Sequence, residues 1–342
     1  MKRKQLGRTD LMVTENSFGA LPIQRIDKQS AVELLHMAYD GGINFYDTAR
    51  AYSDSEEKLG EAFHDRRDKI VISTKSMAKD KAGLLKDLDE SLRMLRTDYV
   101  DIMQLHNIQS VPDPEDENGL YQGLLEAQRQ GKCRFIGITS HRRAIAEEAA
   151  KSGLYDTIQF PVSHISPQED IDLIALCKEL NLGFIAMKAL SGGLLTSAEA
   201  AYAFFQQFDN AVPIWGMQKK EELAQFLDCA QREVTLTPEL EAVIAKDREE
   251  LAGNFCRGCG YCMPCPQGIQ LNTICRLPQL LRRSPWQQYM NEYWTAELAK
   301  VETCLHCGLC ESRCPYGLKC SHLIAENLED WRQFRKEKGI AD

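Results

Sequence analysis

Four side chains in the first third of the chain have the types and order that proton transfer to a carbonyl oxygen needs: Asp47, Tyr52, Lys75 and His106. A tyrosine of ordinary pKa about 10 can give its proton to an oxygen as hydride reaches the neighbouring carbon. A lysine beside it stabilises the phenolate and lowers that pKa, and a carboxylate balances the lysine. A histidine next to the carbonyl orients it by hydrogen bond or relays a proton. The set assigns Tyr52 as acid/base, Lys75 as its tuner, Asp47 as the lysine's partner and His106 as substrate orienter. Asp47 and Tyr52 alone read equally well as a strand, a loop and a helix start, and a lone strand-end Lys or His is more often structural. Four together, each near the end of an apolar run, point to a site.

A second constellation lies after residue 251. Ten of the 13 cysteines fall there, whereas Cys133, Cys177 and Cys229 are scattered and read as inert thiols. CRGCGYCMPCP sets Cys256, Cys259, Cys262 and Cys265 with two residues between neighbours, before Pro266. CLHCGLCESRCP gives Cys304, Cys307, Cys310 and Cys314, before Pro315, in the spacing of a bacterial ferredoxin. Three thiolates so spaced wrap one [4Fe–4S] cubane, and the cysteine before proline often ligates the other. Two clusters are therefore expected, with Cys256, Cys259 and Cys262 joined by Cys314, and Cys304, Cys307 and Cys310 joined by Cys265. Two zinc sites of four cysteines each are the competing reading, but structural zinc takes C-x2-C pairs separated by longer loops. Cys275 and Cys320 lie outside the runs and read as packing thiols.

The elements that must position these residues follow from periodicity. β-type runs at 16–19, 44–47, 70–75, 99–105, 135–139, 157–160, 183–187 and 212–215 alternate with helical patterns at 31–39, 56–63, 82–95, 120–130, 143–151, 168–180, 198–208 and 220–231. Ser30 is expected to cap the first helix and Gly41–Gly42 to end it, and Ser53 or Ser55 to cap the second. Eight strand–helix units predict an α/β (β/α)8 TIM barrel, with an open doubly wound sheet as the alternative. No G-x-G-x-x-G follows the first strand, which counts against a dinucleotide-binding sheet of that kind. In a barrel, catalytic groups sit at the C-terminal strand ends, where these four stand. The expected domains are a barrel over 1–235 and a mostly helical, ferredoxin-like region over 236–342. Helices are expected there at 238–252, 271–283, 285–300 and 324–338.

The 342 residues, 44% hydrophobic and 27% charged, suit a globular protein with a sizeable core. A net charge of −9 without a basic block argues against nucleic acid as a partner. The opening MKRKQLGRTDLMV has no apolar core of a signal peptide, and no long apolar run marks a membrane span, so a cytoplasmic location is expected.

At these residues the chain resembles the aldo-keto reductases. The likeness runs over about 4–231 and rests on the opening LGRT, FYDTARAY, STKS around Lys75, QLHN around His106, IGITS and Gln159. The resemblance implies NADP(H) or NAD(H) across the barrel mouth and reversible reduction of a small aldehyde or ketone. By the same likeness Thr139, Ser140 and Gln159 would hold the nicotinamide amide. Met187, with Lys188 and Leu190 in the following segment, replaces the usual aromatic stack, and Gly192 would approach the pyrophosphate. Gly216, Met217 and Gln218 would lie near the adenosine ribose. Glu222 stands where an arginine often meets a 2′-phosphate, and Phe226 where an asparagine is usual. A carboxylate there repels phosphate, which Lys219 or Lys220 would offset. The tail is similar to that of the iron–sulfur-containing branch of the family, and its 38-residue insert, 266–303, to α-helical ferredoxin domains.

Hydride carries two electrons and a cubane accepts one, so the pair must be split by a flavin, a radical-stabilising substrate or a partner. No motif for flavin is present. The expected function is an oxidoreductase acting on a carbonyl/alcohol pair, with clusters passing electrons to a ferredoxin or other carrier. The alternatives are a reductase with structural clusters, and a redox-sensing or binding module with little turnover.

Overall fold

The computed structural model describes residues 1–251 and 255–340. The chain opens with an antiparallel hairpin, β1 (Arg3–Gln5) with β2 (Met12–Thr14). Eight parallel strands then alternate with helices: β3 (Ser17–Gly19), α1 (Lys28–Asp40), β4 (Phe45–Asp47), α2 (Ser55–Phe63), β5 (Val71–Ser76), α3 (Lys81–Leu95), β6 (Val100–Leu105) and α4 (Leu120–Arg129). The series continues through β7 (Cys133–Thr139), α5 (Arg143–Ser152), β8 (Thr157–Pro161), α6 (Gln168–Glu179), β9 (Gly183–Met187), α7 (Ala198–Phe205), β10 (Ala211–Gly216) and α8 (Lys220–Gln231). β3 through β10 close on themselves, so the barrel is observed and the open sheet is not.

Strands such as β5, β6, β8 and β9 are buried along their whole length, as parallel strands covered on both faces must be. Leu6, Leu11 and Val13 of the hairpin region join Phe45, Ile102, Ile185 and Val212 in one apolar cluster. The hairpin was not expected, because three-residue strands around LGRTD leave no measurable alternation. The register sets Asp47 opposite Ser73, Lys75 opposite Gln104 and Thr139 opposite Gln159. Polar residues at successive strand ends are thereby gathered at one end of the barrel.

Two expected caps are corrected. Asp27 caps α1, its carboxylate accepting from Ser30 N–H at 2.9 Å, while Ser30 sits inside the first turn. The N-cap of α2 is Asp54, with Ser55 as first helical residue and Ser53 left-handed at φ 38°.

By its internal contacts the chain splits into two units, Met1–Ala189 with Ser197–Ala245, and Leu190–Thr196 with Lys246–Asp342. The division falls inside α9 (Pro238–Glu250); of its expected extension to 252, Leu251 is a turn residue and 252 lies outside the described residues. The second unit is helical: α10 (Leu271–Ile274), α11 (Leu277–Arg283), α12 (Glu292–Ala299), α13 (Leu309–Arg313) and α14 (Cys320–Glu337). The single helix expected over 271–283 breaks at Cys275–Arg276, because Pro278 fits only a first turn and so starts a new helix. The pattern over 285–300 divides into a 3-10 turn at Trp286–Tyr289 and α12, which Asn291 caps. The last helix begins at Cys320, four residues before its expected start. Ile274, Leu277, Leu298, Ile324, Leu328 and Trp331 form the core of this unit. Among the described residues no helix is long and apolar enough to cross a membrane.

Candidate active site and cysteine sites

Asp47 closes β4, Lys75 is the penultimate residue of β5, His106 follows β6, and Tyr52 stands on the loop into α2. Lys75 Nζ donates to Asp47 Oδ2 and to the carbonyl of Thr48, both at 2.6 Å. The same Nζ lies 5.1 Å from the centre of the Tyr52 ring. Tyr52 and His106 meet edge to face with centroids 5.7 Å apart. All four expected residues are therefore brought together. Their loop is fixed from below: Thr48 Oγ1 bonds Ser55 Oγ at 2.9 Å, which reaches the carbonyl of Ala20.

Burial governs the electrostatics. The Tyr52 phenol is pushed well above its ordinary range by burial first and by the Asp47 carboxylate second. That reverses the expectation that Lys75 lowers it, because desolvating a phenolate outweighs one cation over the ring. His106 is driven down to about 3 by burial and by the charges of Lys75 and Lys188, so it is neutral at ordinary pH. Its Nδ1 is buried without a partner. Burial also pushes Asp47 up and Lys75 down, toward their neutral forms, while their 2.6 Å contact opposes both shifts.

Gln104 was missed. Its Nε2 donates to Ser73 Oγ at 2.6 Å and to Gln159 Oε1 at 2.7 Å, and Gln159 in turn donates to Asp47 Oδ2 at 3.4 Å. Its signal was a polar residue two positions after Ile102 on a strand, which puts both on one face.

Of the residues assigned to the nicotinamide amide, Thr139 accepts from Asn107 N–H at 2.7 Å, and Ser140 donates to the carbonyl of Ile108. Gln159 is held as above. Met187 packs into the apolar cluster of the barrel at 9% exposure. Lys188 follows it in a left-handed conformation. Glu222 Oε2 accepts from the backbone N–H groups of Gln218 and Lys219 at 2.9 and 3.2 Å, capping α8. An anion at that helix start would meet a carboxylate already bound there. Gly216 ends β10, Met217 is fully buried, and Gln218 Oε1 is buried with no partner. Phe226 stacks on Trp215 with centroids 4.4 Å apart, an outer packing role. Buried atoms without a partner at His106 and Gln218 offer polar positions of the kind a dinucleotide would meet.

Leu190 and Gly192 belong to the second unit. A side chain on Gly192, at φ 72°, would strike Arg276 Nη1 at 2.7 Å and the carbonyl of Arg257 at 3.0 Å. The close approach there is made by those two arginines.

Within the second unit, Cys262 is pushed up to about 12 by burial first, with Cys256, Cys259 and Cys314 as its next influences. These four thiols thus share one neighbourhood. Cys265, Cys304, Cys307 and Cys310, with Cys262, line one shallow hollow together with Pro264, Leu305 and Leu309. Cys256 and Cys262 are buried, whereas Cys307 is exposed. Among the described residues no three His, Cys, Asp or Glu side chains close tightly enough to hold a single metal ion. Cys256, Cys259, Cys262 and Cys314 in one neighbourhood and Cys265, Cys304, Cys307 and Cys310 along one hollow supply the thiolate donors that cubanes take.

Comparison with known proteins matches residues 15–252 to the model of the aldo/keto reductase family and residues 255–319 to that of a 4Fe-4S dicluster domain. The uncharacterized oxidoreductase YqkF of Bacillus subtilis is 30% identical over 57% of this chain and 67% of its own length. L-galactose dehydrogenase of Arabidopsis thaliana is 30% identical over 56% of this chain and 66% of its own. The chain thus spans about two thirds of the length of these curated relatives. In fold, the aldo-keto reductase AKR11C1 of Bacillus halodurans, holo form, superposes with a TM-score of 0.64, covering 72% of this chain and 96% of that one at 23% identity.

Proposed function

We propose that this chain, which belongs to the aldo/keto reductase family and carries a 4Fe-4S dicluster domain, interconverts a small carbonyl compound and its alcohol at Asp47, Tyr52, Lys75 and His106. The observation that carries this reading is the gathering of all four side chains at one end of the barrel, with Lys75 between Asp47 and the Tyr52 ring. Residues 1–235 serve as the reductase barrel and 236–342 as linker and cluster-binding domain. The cluster ligands are Cys256, Cys259, Cys262 and Cys314 for one cubane, and Cys265, Cys304, Cys307 and Cys310 for the other. The clusters link the reaction to a one-electron carrier, in the reducing setting of the cytoplasm.

Tyr52, kept protonated by burial, gives its proton to the carbonyl oxygen. Neutral His106 hydrogen-bonds that oxygen and fixes its direction. Lys75 stabilises the charge left on the phenol, and Asp47 holds Lys75 in place. A nicotinamide at the mouth, held by Thr139, Ser140, Gln159, Met187 and Gln218, supplies hydride when bound.

The capped start of α8 favours NAD(H) over NADP(H). Glu222→Gln keeps a polar acceptor at the cap but removes its charge, and is expected to raise the ratio of NADPH to NADH affinity about tenfold, near 1.4 kcal/mol. Titration of each nucleotide by fluorescence reads this directly; an unchanged ratio removes Glu222 from cofactor choice. Iron and sulfide assays on anaerobically prepared protein test the cluster assignment, with about eight irons per chain expected against about four for a single cubane.

A further inference from the structure

Two buried amides, Gln104 and Gln159, share the interior of the barrel with Asp47. Gln104 is the penultimate residue of β6 and fully buried, and Gln159 on β8 is 1% exposed. With Asp47 of β4 they come from alternate strands, the way a barrel builds one layer of its interior. Such layers are mostly filled by Val, Ile or Leu, so two amides here need a reason. Room for their contact comes from β7, which runs between them. A side chain on Gly137 would lie 3.3 Å from Gln104 Cγ and 2.1 Å from Thr157 Oγ1.

The direction of each hydrogen bond in this layer follows from Asp47. An ionised carboxylate only accepts, so Gln159 must turn its Nε2 toward Asp47 Oδ2, at 3.4 Å. Its Oε1 then faces Gln104, which must present N–H. Gln104 Nε2 donates to Gln159 Oε1 at 2.7 Å and to Ser73 Oγ at 2.6 Å. Both donors of Gln104 are thereby used, while its Oε1 is buried with no partner among the described residues. An unpaired buried acceptor is a cost that an apolar side chain of the same shape avoids, so the value of this residue lies in its donors.

We propose that Gln104 is a positioning residue: it locks the Gln159 amide so that Gln159 and Lys75 both donate to one oxygen of Asp47, which holds Lys75 in place beside Tyr52. The proposal deepens the carbonyl-reducing site described above and rests on that reading. Two donors on Oδ2, Lys75 at 2.6 Å and Gln159 at 3.4 Å, fix the rotation of the carboxylate. Without Gln104, Gln159 Oε1 has no donor and its amide is free to turn over. Its carbonyl then faces the carboxylate and repels it. Asp47 Oδ2 is left with Lys75 alone, and Lys75, 5.1 Å from the centre of the Tyr52 ring, loses its fixed place beside the phenol.

The test is a double-mutant cycle on steady-state carbonyl reduction by the full chain, using NADH or NADPH and the fastest substrate of a panel of small aldehydes and ketones. Gln104→Met, close in volume and without a donor, is expected to lower kcat on the order of tenfold, with the carbonyl KM changed less than about twofold. Gln159→Leu should lose at least as much. In the Gln159→Leu chain, Gln104→Met should cost less than about twofold more, because the relay is already cut. Losses that multiply, or a Gln104→Met enzyme as fast as wild type, overturn the role of Gln104 and leave the site itself standing. Gln104→Leu is the second donor-free variant. Loss of the native circular dichroism spectrum in both also overturns the role, by making Gln104 a requirement of the fold. Tyr52→Phe is run beside them. If it turns over like wild type, or if wild type reduces no carbonyl, the reading of the site fails and the role of Gln104 with it.

Discussion

Tyr52→Phe is expected to lower kcat for carbonyl reduction by about 10²- to 10⁴-fold, the usual range for a positioned general acid, with KM changed by only a few-fold. The ring's edge-to-face contact with His106 and its place beside Lys75 need no hydroxyl, so the variant should fold as the wild type does. The pH profile carries a second expectation. Tyr52 titrates above its ordinary range and therefore stays a donor through neutral and mildly alkaline pH. His106 titrates at about 3 and stays neutral above about pH 4. No acid limb near the ordinary histidine value of about 6.5 should then appear in kcat/KM. A wild-type profile with such a limb, lost in His106→Gln, would place a protonated histidine in the reaction and contradict the assignment.

Lys75→Met should be the most destabilising single change in the barrel mouth. Asp47 is 2% exposed, and its Oδ2 takes a 2.6 Å bond from Lys75 and only a long one from Gln159. Removing the cation leaves a buried carboxylate uncompensated, at about 3–5 kcal/mol. For a domain of this size that is roughly a 10 °C fall in Tm. The pH dependence has a definite sign. Burial already raises Asp47 and Lys75 opposes it, so without Lys75 the folded carboxyl titrates still higher. A group whose folded pKa lies above its unfolded value destabilises at high pH and ceases to as pH falls below the unfolded value of about 3.9. The deficit should therefore be larger at pH 7 than at pH 5. Asp47→Asn in the same chain should recover part of it. A Lys75→Met protein as stable as wild type would mean that the pair is not the buried ion pair drawn here.

The chemistry-bearing residues were the most legible part of the sequence. Asp47, Lys75 and His106 each stand at or just past the end of an apolar run, where a barrel places its catalytic groups. Tyr52 was legible through its neighbours, since a loop residue has no periodicity of its own. Gln104 was legible only as a residue on the same strand face as Ile102, because its partners Ser73 and Gln159 come from other strands. The reversed shift at Tyr52 also lay beyond the sequence: burial depends on packing from β4, β5 and β6 together. In the tail, spacing marked the cysteine runs, whereas the burial of Cys275 and Cys320 exists only after α14 has packed.

The measurement that bears most directly on the account is electron flow out of the clusters during turnover. Protein with clusters reduced and excess reductant removed is mixed anaerobically with NAD⁺, a carbonyl compound that supports NADH-dependent turnover, and free flavin, which couples the one-electron clusters to the two-electron hydride. Cluster EPR signal and alcohol are followed together. The account expects the reduced-cluster signal to vanish as alcohol forms, about one alcohol for every two electrons lost, and no alcohol in Tyr52→Phe on the same time scale. Clusters that stay reduced while NADH-supported turnover proceeds normally would contradict it and leave them a structural role.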